Sequence, residues 1–138
     1  MRSPLSGTPP RKILIIDDEA HIRTLLEQTL EDLEDEGVEL LTAADGEAGL
    51  ALVEAERPDL VFLDVMMPTM NGYEVCRAVR SDLGLTDVTI VLLTAKGQEA
   101  DRRRAVEVGA DEFLTKPFDP DELLDFARSR LRALDEDR

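Results

Sequence analysis

Five short apolar runs alternate with five stretches of helical periodicity along this chain, and this alternation restricts its fold more than any other feature does. The first, third and fourth runs are almost continuously apolar, as expected of strands in a parallel sheet that is covered on both faces. A regular βα alternation places helices on both faces and joins the strands by right-handed crossovers. The sequence therefore predicts an α/β fold with a doubly wound parallel sheet, whose strands cover residues 12–17, 38–43, 59–64, 88–94 and 112–116.

The helical stretches are recognised by apolar residues that recur on one helix face. The first carries an apolar stripe that runs from Ile22 to Leu33, and the fifth has the clearest start, with Asp119 as N-cap, Pro120 in the first turn and Glu122 after it. The second, third and fourth helices are predicted at 47–56, 72–82 and 98–108. Together these elements predict one domain over residues 11–134, with flexible tails at 1–10 and 135–138.

Composition excludes several classes of protein. Hydrophobic residues make up 43% of the chain, which argues against disorder. No apolar run approaches the roughly 20 residues that a membrane-spanning helix needs, and the N-terminal segment lacks the apolar stretch of a secretory signal. A net charge of −15 disfavours direct binding to nucleic acid, which depends on neutralising phosphates. The lone Cys76 excludes an internal disulfide and suits a reducing compartment, so we expect a cytoplasmic protein without membrane attachment.

Polar side chains stand where the predicted strands end. The first run ends in Asp17 and Asp18, the third in Asp64, the fourth in Thr94 and the fifth in Lys116. In open parallel sheets, ligands bind beyond the carboxyl ends of the strands, where the strand order reverses. Carboxylates that crowd together there repel one another and favour a hard cation with oxygen ligands, such as Mg²⁺.

This group of residues suits phosphoryl transfer. A carboxylate can attack phosphorus and form an acyl phosphate, and the reaction asks the protein mainly to position the reactants and to neutralise charge on the phosphoryl oxygens. Mg²⁺ held by Asp18 and Asp64, with Asp17 acting directly or through a water, would cover one oxygen. The ammonium of Lys116 and the hydroxyl of Thr94 would cover the other two.

Four motifs, in order, resemble those of the receiver domain of two-component response regulators. They are IIDDE with the acidic pair, LDVMMPTMNG around Asp64, LTA with Thr94 and TKPF with Lys116, and the resemblance covers residues 11–134. It implies a flavodoxin-like (βα)5 fold with the strand order 2-1-3-4-5.

The same resemblance assigns the site residues. It implies that Asp64 is the phosphoacceptor and that Asp17 and Asp18 are the acidic pair that binds Mg²⁺ beside it. It adds the main-chain carbonyl of Met66 as a further ligand of that ion.

The resemblance also implies a switch. Thr94 and Lys116 are expected to sense the phosphoryl group, Phe113 to be the aromatic switch residue, and the bond from Lys116 to Pro117 to be cis. The phosphoryl donor would be a sensor histidine kinase or a histidine phosphotransfer protein. A downstream protein effector would bind through the fourth helix, the fifth strand and the fifth helix. On this interpretation the chain is a stand-alone, single-domain regulator and not an enzyme, apart from its own phosphorylation and dephosphorylation.

Other interpretations remain open at this point. A Mg²⁺-dependent phosphatase with a nucleophilic aspartate resembles a D-x-D pattern, but Met66 stands where its general acid would be. A binding module that is not phosphorylated would be expected to lack an acceptor or metal-binding acid, and a flavin-binding protein would need a hydroxyl-rich loop in place of DDEAH. Glu19 either assists at the metal or opens the first helix near its positive end. The cluster Arg102 to Arg104 is either a solvated helix face or a docking patch for an acidic partner.

Overall fold

A computed structural model describes residues 10–95 and 99–136. Within these residues the strands are β1 Lys12–Ile16, β2 Glu39–Ala43, β3 Leu60–Asp64, β4 Thr89–Thr94 and β5 Glu112–Thr115. They pair in parallel in the order β2-β1-β3-β4-β5. The predicted flavodoxin-like sheet is therefore confirmed, and each strand lies within one residue, at either end, of the run that predicted it.

Helices connect the strands and cover both faces of the sheet. They are α1 Ala20–Thr29, α2 Glu31–Asp35, α3 Gly46–Glu56, α4 Gly72–Arg77, α5 Glu99–Glu107 and α6 Pro120–Glu136. The short α4 continues directly as a π-helical segment, Ala78–Asp82, so that the two together fill the third predicted helix.

The segment after α1 differs from the prediction. The sequence predicts one helix whose apolar stripe runs to Leu33, but the helix breaks at Leu30, whose φ and ψ are −97° and 5°. Leu30 and Leu33 are both buried, so the apolar stripe is still covered although two helices carry it instead of one. Apart from Leu33, every residue from 31 to 36 is acidic. Acidic side chains four residues apart on a helix repel one another, so a long continuous helix through this segment is disfavoured.

The sheet separates two apolar layers. Ile16 and Leu63 face the layer built with α3, α4 and α5, whereas Ile15 and Phe62 face the layer built with α1, α2 and α6. Successive strand residues thus alternate between two buried faces, which explains why the runs are continuously apolar. Each such side chain stabilises the folded state by about 1.5–3 kcal/mol when it is fully buried. The central strands are held rigidly, and so are the polar residues at their carboxyl ends.

Candidate functional site

The charged residues at the centre of the carboxyl edge are in direct contact. Lys116, one residue beyond β5, places its Nζ 3.0 Å from Oδ2 of Asp17 and 3.1 Å from Oδ1 of Asp64. Asp17 follows β1 and Asp64 ends β3, and these strands are neighbours in the sheet. Both carboxylates are buried, with Asp17 fully covered and Asp64 4% exposed. The structure thus brings the predicted acceptor, one predicted metal-binding acid and the predicted ammonium group together.

Asp18 and Glu19 extend this site toward solvent. Carboxylate oxygens of Asp17, Asp18 and Glu19 all lie within 4.8 Å of one another, an arrangement that can hold a cation. Asp64 stands outside this group and is joined to Asp17 through Lys116. Glu19 is the N-cap of α1, yet its side chain makes no capping hydrogen bond. Glu19 thus stands both at the start of α1 and beside the acidic pair, so the two roles that the sequence leaves open for it are both compatible with the geometry.

The two buried carboxylates compete for one ammonium group. The pKa of Asp64 is raised to about 6, first by burial and second by the charge of Asp17, while Lys116 and the main-chain N–H of Met66 oppose the rise. Burial lowers the pKa of Lys116, but its hydrogen bonds to Asp17 and Asp64 and the charges of both acids outweigh that effect, so its pKa is raised. Lys116 is therefore a cation at neutral pH, and Asp64 is mostly ionised there.

Thr94 ends β4 with a buried hydroxyl that has no hydrogen-bond partner among the described residues. Its main-chain carbonyl accepts a hydrogen bond from the N–H of Lys116, at 2.6 Å, which ties the ends of β4 and β5 together. A buried polar group without a partner costs about 1–3 kcal/mol. The hydroxyl is therefore ready to donate to an acceptor that enters the site.

The donor set fits Mg²⁺. The ion prefers carboxylate and carbonyl oxygens and usually keeps several waters, so it needs few protein ligands and an open side. Asp17 offers a buried carboxylate and Asp18 an exposed one, and the negative charge around Lys116 exceeds its single positive charge. These residues suit a divalent cation better than they suit a bare anion, which the carboxylates would repel.

The loop after Asp64 is held close to the acceptor. The Met66 side chain is 74% exposed, and its N–H supports the Asp64 carboxylate from the main chain. Gly72, the first residue of α4, packs behind the site, since a Cβ there would lie 2.4 Å from the main-chain oxygen of Asp64. Asn71 and Glu74 form a capping box that fixes the start of α4. The role predicted for the Met66 carbonyl as a metal ligand stays a prediction.

Phe113 lies half-buried in β5, and the guanidinium of Arg102 stands 4.8 Å from the centre of its ring. Arg104 makes the same contact, also at 4.8 Å, with the ring of Tyr73. Such cation–π contacts contribute about 0.5–1 kcal/mol at exposed sites. All three arginines of the cluster are exposed, and two of them, Arg102 and Arg104, also contact aromatic rings. The predicted cis bond between Lys116 and Pro117 is confirmed.

One contact at the site escapes sequence reasoning. Arg23 in α1 donates from Nη1 to the main-chain carbonyl of Asp17, at 2.7 Å. The signal that could have found it is its isolation, because Arg23 and Arg57 are the only basic residues between positions 17 and 64, among 16 acidic ones.

The family model for the response regulator receiver domain matches residues 13–128. The chain belongs to this family.

Among the described residues, none of the helices combines the length and the apolar character that a bilayer crossing requires.

Relatives and solved structures agree with this assignment. The chain is 48% identical over 122 residues to a probable transcriptional regulator, ycf27, of Cyanophora paradoxa, covering 88% of this chain and 48% of the relative. It is 42% identical over 130 residues to the DNA-binding response regulator MtrA of Mycobacterium bovis, covering 94% of this chain and 54% of the relative. The chain thus spans about half the length of these curated relatives. The receiver fold matches chemotaxis protein CheY4 of Vibrio cholerae with a TM-score of 0.77 and 36% identity, covering 87% of this chain and 98% of that one.

Proposed function

We propose that this receiver domain is a phosphorylation-driven switch in which Asp64 accepts a phosphoryl group from a histidine of a sensor histidine kinase or of a histidine phosphotransfer protein. The observation that carries the proposal is the buried contact of Lys116 with Asp17 and Asp64, at the same edge as the Thr94 hydroxyl, for which residues 10–95 and 99–136 supply no hydrogen-bond partner. Membership of the receiver family supports it.

In the proposed reaction, a carboxylate oxygen of Asp64 forms a bond to phosphorus while the P–N bond to the donor histidine breaks. The donor ring carries a proton on its other nitrogen before the transfer, so when the electron pair of the P–N bond stays on the ring nitrogen, the donor leaves as a neutral imidazole. Lys116 keeps its charge and neutralises one phosphoryl oxygen, and the Thr94 hydroxyl donates to another. The pKa of about 6 leaves Asp64 ionised, and thus nucleophilic, at pH 7.

Mg²⁺, when bound, would neutralise charge on the transferred group. The residues proposed to hold it are Asp17, Asp18, Asp64 and the main-chain carbonyl of Met66. Glu19 lies close enough to Asp17 and Asp18 to assist them, directly or through a water.

The proposed output is an altered surface on α5, β5 and α6, which would bind a downstream protein effector. Phosphorylation adds about −1.5 to −2 charges and new acceptor oxygens. Within the described part of the chain the Thr94 hydroxyl has no partner to give up, so it would turn toward those oxygens and vacate space for Phe113. Arg102 would then lose or change its contact with that ring. Coupling of this kind is typically worth about 1–3 kcal/mol.

Other activities have less support. A phosphatase would need an acid in place of Met66, whose exposed thioether cannot protonate a leaving group. We therefore propose no catalysis beyond the phosphorylation and dephosphorylation of the domain itself. The net charge of −15 favours protein partners over direct contact of this 138-residue chain with nucleic acid. A cytoplasmic location is part of the proposal, and action as a stand-alone regulator stays a prediction.

The test is phosphoryl labelling of the chain by a small phosphodonor and by a phosphorylated histidine kinase, each with Mg²⁺ and with excess chelator. Wild type is expected to incorporate label only when Mg²⁺ is present, and Asp64→Asn is expected to incorporate none. Asp82→Asn removes an exposed carboxylate at the end of the π-helical segment and is the matched control, expected to label normally. Full labelling of Asp64→Asn, or a normal labelling rate in chelator, would refute the proposal.

A further inference from the structure

Arg23 touches both ends of the acidic turn that follows β1. Its side-chain Nη1 donates to the main-chain carbonyl of Asp17, at 2.7 Å, and its main-chain N–H donates to the carbonyl of Glu19, at 3.1 Å. The side chain is half-buried. Only the contact with Asp17 depends on the arginine side chain, because the bond to Glu19 is a main-chain bond of the first helical turn, and the same carbonyl also accepts from the N–H of Ile22.

The remaining polar groups of Asp17 are already engaged. Its N–H donates to the carbonyl of Ala43, at 3.2 Å, Oδ1 accepts from the N–H of Glu19, at 2.9 Å, and Oδ2 accepts from Lys116, at 3.0 Å. Asp17 is also completely buried. Arg23 is therefore the group that completes the fixation of this residue, and its loss would leave a buried carbonyl without its partner.

A cation in this position is unfavourable on general grounds. The N-terminus of a helix carries partial positive charge, which repels arginine near the first turn. A divalent cation beside Asp17 and Asp18 would be repelled by the same guanidinium. The helix end and a bound cation would thus both repel Arg23, whereas the carboxylates of Asp17, Asp18 and Glu19 attract it.

We infer that Arg23 is a positioning residue for the divalent cation: it fixes the turn from Asp17 to Glu19 so that the acidic side chains converge. The inference rests on the proposed function, because that function supplies the cation. Residues that orient metal ligands without touching the metal typically change its affinity by about 10–100-fold when they are replaced.

The sign of the effect separates positioning from charge. If Arg23 acts only as a nearby positive charge, its replacement by glutamine removes repulsion and Mg²⁺ binds more tightly. If Arg23 positions the turn, the same replacement loosens the acidic side chains and Mg²⁺ binds more weakly. The two readings therefore predict opposite changes in one measured quantity.

The experiment is titration of Mg²⁺ into the full chain by calorimetry, with wild type, Arg23→Gln, Arg23→Lys and Arg103→Gln. Arg103→Gln is the matched control, because it removes an exposed arginine from α5 and is expected to leave the affinity unchanged. Arg23→Gln is expected to weaken binding by about 10-fold or more. Arg23→Lys, which keeps the charge and can still donate to the carbonyl, is expected to recover part of the loss.

Labelling at saturating Mg²⁺ supplies a second measurement. Arg23→Gln is expected to need more Mg²⁺ but to approach the wild-type maximal rate, because Asp64 and Lys116 are unchanged. Mg²⁺ affinity of Arg23→Gln equal to or tighter than wild type would overturn the inference. So would a Lys variant that binds no better than the Gln variant, or a reduced maximal rate with unchanged Mg²⁺ dependence. Absence of Mg²⁺ binding by wild type would instead refute the proposed function.

Discussion

Replacing Asp64 by asparagine is predicted to stabilise the metal-free domain at neutral pH. The side chain is 4% exposed, and its pKa is raised from 3.8 to about 6, first by burial and then by the charge of Asp17. Between about pH 4 and pH 6 the folded protein therefore retains a proton that the unfolded chain has released. The free energy of unfolding contributed by this group is present at low pH and is lost as the pH rises from about 4 to about 6 and beyond.

The size of the effect follows from these two pKa values. A pKa raised from 3.8 to about 6 corresponds to about 3 kcal/mol of lost unfolding free energy at pH 7, since one pH unit is worth about 1.4 kcal/mol. Asparagine resembles the protonated acid and keeps an oxygen for Lys116, so most of this energy should be recovered. At pH 4 the folded carboxyl is protonated and the unfolded one is about half protonated, so the gain falls below about 1 kcal/mol. Lys116 stays charged throughout, because its pKa is raised above 10.5.

The assay is urea unfolding followed by circular dichroism, in chelator, at pH 7 and at pH 4. Asp82→Asn, at an exposed position, is the control and is expected to change little at either pH. Added Mg²⁺ should stabilise wild type by mass action and narrow the difference from the Asn variant. If Asp64→Asn does not raise the free energy of unfolding at pH 7, or raises it equally at both pH values, burial does not destabilise the ionised form of Asp64.

Two further substitutions test other parts of the structure. Thr94→Val removes a buried hydroxyl that has no partner among the residues that the structure describes, so the free energy of unfolding in urea should rise by about 1 kcal/mol or more. Effector binding by the phosphorylated variant should be weakened, and a lower free energy of unfolding would show that the hydroxyl is satisfied. Arg80 donates to the carbonyls of Gly109, Leu85 and Val88 and to the carboxylate of Asp111. Arg80→Ala should lower the free energy of unfolding in urea by about 3 kcal/mol or more, and a loss below about 1 kcal/mol would contradict a structural role.

The sheet could be predicted closely because burial on both faces leaves a strong local signal. Phe62 and Leu63 face opposite apolar layers, so neither position tolerates a polar residue and the run stays unbroken. The break at Leu30 left a weaker signal, because the acids at 31–36 disfavour a long helix without showing where it ends. Leu30 and Leu33 are both buried, and the stripe that they form is the same whether one helix or two carry it.

The residues of the site could be predicted from the sequence, but some of the contacts between them could not. The sheet topology places Asp17, Asp64 and Lys116 at one edge, and the sequence predicts that acidic and basic side chains meet there. It could not foresee that Lys116 lies between both acids, because that depends on the path of the chain after β5. The contact of Arg23 with Asp17 was equally hidden, since its acceptor is a main-chain carbonyl, which every residue possesses.

The packing of Gly72 against Asp64 decides where variation in this domain can arise. A Cβ atom at position 72 would collide with the main-chain oxygen of Asp64, so replacing Gly72 by any other residue would require the backbone behind the acceptor to move. Met66 lies two residues beyond Asp64 and turns 74% of its surface to water, so it can be exchanged without disturbing the interior. Substitutions meant to retune this domain should therefore be made at the exposed Met66 position and not at Gly72.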